Sequence, residues 1–253
     1  MKIVCLGSGN VATHLVVAFK NAGMDILQVW SPDISHAREL AIRVGAESTD
    51  ELEHVDRSAD FYLIAVKDDA IWQVAEGLKG VAGLVVHTSG ATSLEVLQGL
   101  GNYGVFYPLQ TFSKYKPVDL SSTPFCLEAN SASSYALLES LTKAIGAPAY
   151  GVNSAQRKTL HIAAVFASNF SNHLYHLAST ILEGDKLPFE LLRPLILQTA
   201  LKVQDDLPRA VQTGPALRDD QVTINNHLEL LKATPELQAL YETLSNSIKK
   251  THL

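Results

Sequence analysis

The sequence predicts an α/β chain, with a doubly wound parallel sheet in its first half and an all-α region after it. Short β-branched apolar runs alternate with amphipathic stretches through the first ~150 residues, the pattern of parallel strands joined by right-handed crossover helices. No convincing strand follows the Ala147-Pro148-Ala149-Tyr150-Gly151 stretch, and the remaining sequence has helical spacing. At 253 residues, with 47% apolar and 18% charged, the chain can fill a large core and has room for two domains. These two regions are expected at residues 1–152 and 153–253.

Ile3 to Leu6 reads as a fully apolar first strand, and the helix from about Asn10 to Asn21 sets Val11, Leu15, Ala18, Phe19 and Ala22 on one face before Gly23 stops it. Ile26 to Trp30 is the second strand and Ser35 to Val44 the second helix. Phe61 to Val66 and Leu84 to Val86 repeat the strand signal, each leading into a turn and a helical pattern. Val105 to Tyr107 and Phe125 to Leu127 are the last strands, and Ser133 to Ala144 is the last helix of this half. Beyond it, Asn153 and Gln156 form the pattern of a capping box for a long helix ending near Gly184. Helices are also expected at Pro188 to Asp206, Val222 to Leu231 and Pro235 to Lys249, the last with proline suited to its first turn. A helical region of this size with so much apolar surface predicts a homodimer that completes its core.

The net charge of −6 and the lack of any Lys/Arg run argue against a nucleic-acid partner. No stretch approaches the ~18–20 apolar residues of a membrane span, and Met1-Lys2 runs directly into a strand, which predicts no signal peptide and a cytoplasmic location. Cys5 and Cys126 fall in strand-like runs and read as reduced core residues. The nine histidines form no compact cluster with acidic partners, so no metal site is expected.

The chemistry begins at Gly7-Ser8-Gly9-Asn10-Val11-Ala12, between a buried strand and a helix. This is the context in which a Rossmann-like βαβ unit binds a dinucleotide. The first glycine makes the turn, the second lets the backbone approach a pyrophosphate, and the helix offers free N–H groups and the positive end of its dipole. Gly7, Ser8, Gly9, Asn10 and Val11 are therefore expected to hold cofactor, against the alternative of an empty structural turn. The second strand ends at Ser31, where an acid would select NAD; a hydroxyl tolerates a 2′-phosphate, so NADP is expected and NAD is the alternative. Pro32 and Asp33 occupy the places of the usual basic partner, leaving His36 and Arg38 as the nearest cations.

The glycine turn, Val66-Lys67-Asp68-Asp69-Ala70-Ile71 and Val86-His87-Thr88-Ser89-Gly90-Ala91 resemble the β-hydroxyacid dehydrogenase superfamily, with pyrroline-5-carboxylate reductase and prephenate dehydrogenase among its members. Three further stretches resemble a bacterial family of candidate NADP oxidoreductases with a Rossmann-like domain and a helical domain of unknown function. They are Phe106 to Phe112, His161 to Tyr175, and Gly214-Pro215-Ala216-Leu217-Arg218-Asp219-Asp220 leading to His227. The resemblance spans essentially the whole chain and implies hydride transfer in a cleft between the two domains. The chain departs from it at Tyr107, where that family has histidine, at Asp219, where it has glycine, and at Pro32, where it has a basic residue.

Ligands of such sheets bind beyond the strand C-termini. Val66 and Lys67 are expected beside the nicotinamide; Asp68 and Asp69 read as helix caps. Thr88, Ser89 and Gly90 form either a substrate-contacting turn, with Ser89 catalytic, or a capped turn, with Ser93 opening the next helix. On the long helix, 100° spacing groups His161, Ser168, Asn169, Asn172 and His176 into a polar stripe without Lys, Glu or Asp. Such a stripe suits a cleft, where His161 and Asn169 would be catalytic and Asn172 would bind substrate, or a buried polar seam. No lysine lies a turn before Asn169, Lys158 being eleven residues away, so the proton comes from His161 or from water. Arg218 and His227 complete the candidate substrate contacts, with Asp219 or Asp220 capping the following helix. Two functions fit these features: an NADP-dependent oxidoreductase acting on a small carboxylate-bearing imine, ketone or alcohol, or a non-enzymatic NADP(H)-binding sensor or scaffold dimer.

Overall fold

A computed structural model describes residues 1–114 and 116–252 and divides into two compact units, Met1–Asn169 and the chain from Phe170 onward. The first unit contains, in order, β1 (Lys2–Leu6), α1 (Asn10–Asn21), β2 (Asp25–Trp30), α2 (Ile34–Val44), β3 (Glu47–Thr49), β4 (Phe61–Ile64), α3 (Ile71–Gly77) and β5 (Leu84–His87). These are followed by β6 (Tyr103–Pro108), β7 (Phe125–Ala129), α4 (Ala132–Ala144), β8 (Ala149–Gly151) and α5 (Ser154–Ala164). The strands form one sheet in the order β3-β2-β1-β4-β5-β6-β7-β8.

The first six strands are parallel, with Leu6 of β1 paired to Trp30 of β2 and Ile64 of β4. Their C-terminal ends share one edge, and the turns at Gly7, Ser31, Ala65 and Thr88 leave from it. β7 reverses: it pairs antiparallel with β6, and β8 runs parallel to β7. The doubly wound parallel sheet expected from sequence is thus present with a reversed edge, and two three-residue strands, β3 and β8, are added to it.

Strand alternation sends successive side chains to opposite faces. Ile3, Cys5, Phe61, Leu63 and Phe106 face α1, α2 and α4, where Leu15, Phe19, Leu40 and Leu138 meet them. Val4, Leu6, Tyr62, Ile64 and Val85 face Ile71 and Val74 of α3. Each large side chain buried there contributes about 1.5–3 kcal/mol. The Phe19–Phe61 and Phe61–Phe106 rings meet edge to face at 6.0 and 6.2 Å, a favourable arrangement of their quadrupoles. Cys5 and Cys126 are buried thiols, and burial pushes that of Cys5 up.

Local chemistry sets the ends. Asp33 caps α2 by accepting from the Ser35 N–H at 2.8 Å, and Gly45 closes it in the left-handed region at φ 67°. Asn153 and Gln156 form the expected capping box at α5. Two expectations are corrected. Asp68 and Asp69 lie inside a 3₁₀ turn, Asp68–Ala70, whose cap position is Lys67. The segment after Ser93 is a 3₁₀ turn, Leu94–Leu97, capped by the Ser93 hydroxyl, and not an α-helix.

The expected long helix is built as α5, a π-helical stretch Val165–Phe170, and α6 (Ser171–Gly184). The second unit contains α6, α7 (Arg193–Asp205), α8 (Gln221–Leu230) and α9 (Pro235–His252), with Asp220 capping α8 through the Thr223 N–H at 3.1 Å. Among its described residues only Ala216, Ile224 and Ser245 are buried. The units divide further along the chain than residue 152, where secondary structure changes from mixed to helical.

Candidate active site

At the C-terminal edge of the sheet a groove of about 720 Å³ is lined by Gly7 to Val11, Ser31, His36, Val66, Lys67, Thr88 and Lys114, among others. Gly7 has φ 125°, and a Cβ there would collide with the backbone carbonyl of Ala65, so only glycine lets β1 and β4 lie this close beneath the turn. Gly9 caps α1, and a Cβ on it would meet nothing within 4 Å, so this side of the turn is open. With the α1 N–H groups facing that opening, the turn has the shape and dipole that accept a pyrophosphate. Ser8 donates to the Ser31 hydroxyl at 3.0 Å, tying the turn to the end of β2. The Asn10 amide is committed elsewhere, donating to the Phe112 carbonyl at 3.0 Å.

Beside the groove lies a second cavity of about 660 Å³, and the two share Val11 and Thr88. Its wall includes Tyr107 from β6, Gln110 and Thr111 after it, and the helical stretch with His161, Ser168 and Asn169. The Tyr107 hydroxyl and His161 Nδ1 are 3.1 Å apart, with their rings edge to face. Burial pushes the Tyr107 phenol up to about 12, so it keeps its proton at neutral pH. Gly90 makes this pair fit: a Cβ there would lie 2.5 Å from His161 Nδ1 and 2.8 Å from Tyr107 Cζ.

A buried network holds His161 in place. Arg157, one helical turn earlier and fully buried, donates to Glu128 of β7 at 2.6 Å and to the Thr92 carbonyl at 2.6 Å. Ser154 donates to the same Glu128 carboxylate at 2.7 Å and accepts from the Leu94 N–H. The start of α5 is thereby fastened to β7 and to the turn after β5. Beneath that turn, His87 is buried with its pKa lowered to about 3, chiefly by desolvation and then by the charge of Arg157. Its Nδ1 accepts from the Ser89 N–H at 3.1 Å, which leaves the hydrogen of the neutral ring on Nε2.

The remaining expected residues fall elsewhere. Ser89 does not line the cavity: its hydroxyl accepts from the Ala91 and Thr92 N–H groups and is spent on the turn. Gly90 makes room for the Tyr107–His161 pair rather than lining the wall. The lining of this cavity ends at Asn169, so Asn172 is not part of it. Arg218 and His227 belong to the second unit, where Arg218 is exposed and His227 Nδ1 meets the Tyr241 hydroxyl at 2.8 Å. Asp219, at φ 51°, pairs with Lys249 and leaves the capping of α8 to Asp220. Sequence reasoning passes over Tyr107, Arg157 and Lys114. Tyr107 stands out only as a departure from histidine, and the other two act through residues distant in sequence. Among the described residues no His/Cys/Asp/Glu group could hold a metal, and no helix is long and apolar enough to cross a membrane.

Residues 1–111 match a Rossmann-like domain and residues 123–248 match DUF2520, a domain of unknown function. The chain belongs to the family that joins these two domains. A candidate NADP oxidoreductase from Bacteroides fragilis is 43% identical over 98% of each chain, with a TM-score of 0.93. A protein from Thermotoga maritima is 21% identical over 99% of this chain and 98% of its own, TM-score 0.75. An imine reductase from Myxococcus stipitatus, solved in complex with NADP+, is 16% identical over 99% and 93%, TM-score 0.70. These last two likenesses are of fold. No curated protein matches the chain.

Proposed function

We propose that the chain is an NADP-dependent oxidoreductase acting on the C=N or C=O group of a small substrate, or on the corresponding alcohol in reverse. One observation carries this reading: the groove that fits a dinucleotide and the cavity that holds Tyr107 and His161 share a wall at Val11 and Thr88. The Bacteroides fragilis relative, described as an NADP oxidoreductase, supports the same class. Gly7, Ser8, Gly9 and Val11 would hold the pyrophosphate side of the dinucleotide, Ser31 its ribose, and Val66, Lys67 and Thr88 its nicotinamide end. When bound, the nicotinamide would supply hydride for the substrate carbon.

The protein's part is the proton. Tyr107 retains its phenolic hydrogen at neutral pH and presents it to the substrate nitrogen or oxygen. With the Nδ1 hydrogen of His161 donated to the Tyr107 oxygen, the phenolic hydrogen is left for the substrate; the Nδ1 proton then replaces it as Nε2 takes a proton from solvent, so the imidazole stays neutral. Asn169 and Thr88 orient the substrate. The cavity wall carries no ammonium or guanidinium group among the described residues, so a substrate carboxylate would rest on Thr88, Thr111, Gln110 and Asn169.

A homodimer through the helical unit is part of this reading. Leu191, Leu195 and Leu207 are 61%, 63% and 77% exposed in a unit with almost no interior of its own, and a second copy would cover them. Sedimentation velocity on the full chain is expected to give a dimer, and a monomer at micromolar concentration counts against it.

The test of function is NADPH oxidation across a panel of cyclic imines, keto acids and their neutral analogues. Tyr107→Phe and His161→Ala should lose about 10²–10⁴-fold in turnover while binding NADPH as the wild type does. Binding without turnover on any member of the panel would favour a sensor. Unaltered turnover in both variants would remove the assignment of the pair.

A further inference from the structure

The sequence offers no basic residue directly after Ser31, yet the groove supplies one from far away. Lys114 lines it together with Ser31 and His36. The segment that carries Lys114 comes after β6 and is fastened to α1 at two successive carbonyls. Asn10 donates to that of Phe112 at 3.0 Å, and the His14 Nε2 meets that of Ser113 at 3.0 Å. The His14 and Phe112 rings also pack at 5.0 Å. From this anchorage Lys114 pairs with Glu39 of α2 at 2.7 Å, one turn beyond His36.

The charges around this end of the groove favour an anion. Its described lining contains no Asp or Glu, and its basic side chains are Lys67, His36 and Lys114. Lys67 lies beyond β4, on the opposite side of β1 from β2. Glu39 is the carboxylate facing Lys114, and the Arg43 guanidinium also acts on it, so two fixed cations face one carboxylate. Asp33 lies 3.8 Å from His36 Nδ1, and its carboxylate is engaged by the Ser35 N–H and hydroxyl. Ser31 is buried, and its hydroxyl, already touched by Ser8, marks the floor of this corner.

We propose that Lys114, with Ser31 and His36, forms the site for the 2′-phosphate of NADP(H), and that the loop after β6 therefore decides cofactor choice. The proposal rests on the dinucleotide reading above. Glu39 holds the ammonium group in place before the nucleotide arrives and shares it with the phosphate afterwards. A lysine acts here as a positioned point charge, which gives much more to a phosphate monoester than to a neutral ribose hydroxyl.

Fluorescence titration of the full chain with NADPH and with NADH tests this, with 2′,5′-ADP and 5′-AMP as nucleotides lacking nicotinamide. The wild type should bind NADPH and 2′,5′-ADP at least about tenfold more tightly than NADH and 5′-AMP. Lys114→Met should weaken NADPH by about ten- to a hundredfold, in keeping with a lost charge-assisted bond, and leave NADH unchanged. Lys114→Arg should keep most of the preference. Glu39→Gln, which leaves the lysine in place, should tighten NADPH severalfold and not NADH. Equal weakening of both nucleotides by Lys114→Met, or no weakening of either, overturns the proposal and leaves the dinucleotide reading standing. A wild type that binds neither nucleotide at millimolar concentration removes both.

Discussion

Replacing Gly90 with alanine adds one methyl group at a point where the backbone tolerates it and the neighbours do not. Gly90 is not among the glycines with positive φ, so the substitution costs little in backbone strain. The new Cβ would lie 2.5 Å from His161 Nδ1, 2.8 Å from His161 Cγ and 2.8 Å from Tyr107 Cζ, inside van der Waals separation from two rings at once. Neither ring retreats easily: α5 is pinned by Arg157, and Tyr107 sits within a paired strand. Overpacking of this kind costs about 1–3 kcal/mol. At about 2–4 °C per kcal/mol for a chain of this size, the melting temperature should fall by about 2–12 °C. The hydroxyl–imidazole distance of 3.1 Å should not survive the displacement, so turnover should drop at least about a hundredfold. The dinucleotide groove does not include Gly90, so the NADPH dissociation constant should stay within about twofold. Thermal melts, NADPH titration and steady-state turnover on one preparation decide the matter. Wild-type turnover with an unchanged melting temperature would refute the claim that this turn shapes a working Tyr107–His161 pair.

Three further outcomes are expected from the same structure. Gly7→Ala combines a disallowed φ with a collision against the Ala65 carbonyl; it should cost at least about 2 kcal/mol and abolish NADPH binding, read by melting and titration. Arg157→Met leaves the Glu128 carboxylate without its cation in a largely buried place and should destabilise by about 3–5 kcal/mol in urea unfolding, part of it recovered by adding Glu128→Gln. His87 is held at about 3 when folded, below its ordinary 6.5, so the unfolded chain takes up its proton first; its contribution is complete above pH 6.5 and is lost as pH falls toward 3. Urea melts at pH 7.5 and 4.5 should therefore show a larger loss for wild type than for His87→Asn, which keeps an acceptor for the Ser89 N–H without the titration, at up to about 1.4 kcal/mol per pH unit.

Most of the fold is legible because it is written in local patterns. The apolar run Ile3 to Leu6, the glycine turn and the 3.6-residue spacing of α1 and α2 each declare themselves within a dozen residues. The two strands that escape sequence reasoning, Glu47–Thr49 and Ala149–Gly151, are three-residue edge elements with polar, glycine-containing or largely exposed sequence, and nothing within them forces a strand. They exist because β2 and β7 offer them partners. The reversal of β7 is illegible for another reason. The stretch from residue 109 to 124 is long enough for a parallel crossover, so its length does not reveal that it returns along the same edge. The site divides in the same way: Gly7 to Val11 and Thr88 fall in contiguous, readable motifs. The pairs Tyr107–His161, Arg157–Glu128 and Lys114–Glu39 join residues far apart, and one sequence carries no mark of such pairings.

The polar stripe on the long helix shows where a sound rule stops applying. Spacing of 100° per residue holds along α5, where it correctly turns Arg157 and His161 to the same side. It fails across Val165–Phe170, because the i→i+5 bonding of a π-helix inserts an extra residue and displaces the residues beyond it by about 100°. The phase that groups Asn172 and His176 with His161 is lost there. Of residues 160–169 only Ile162 and Phe166 fall outside the cavity lining, 61% and 65% exposed. Helical phase singles out His161 and Asn169 together, but the phase argument does not hold at Asn169. Asn169 lies within the π-helical stretch and, with Ser168, on the cavity wall.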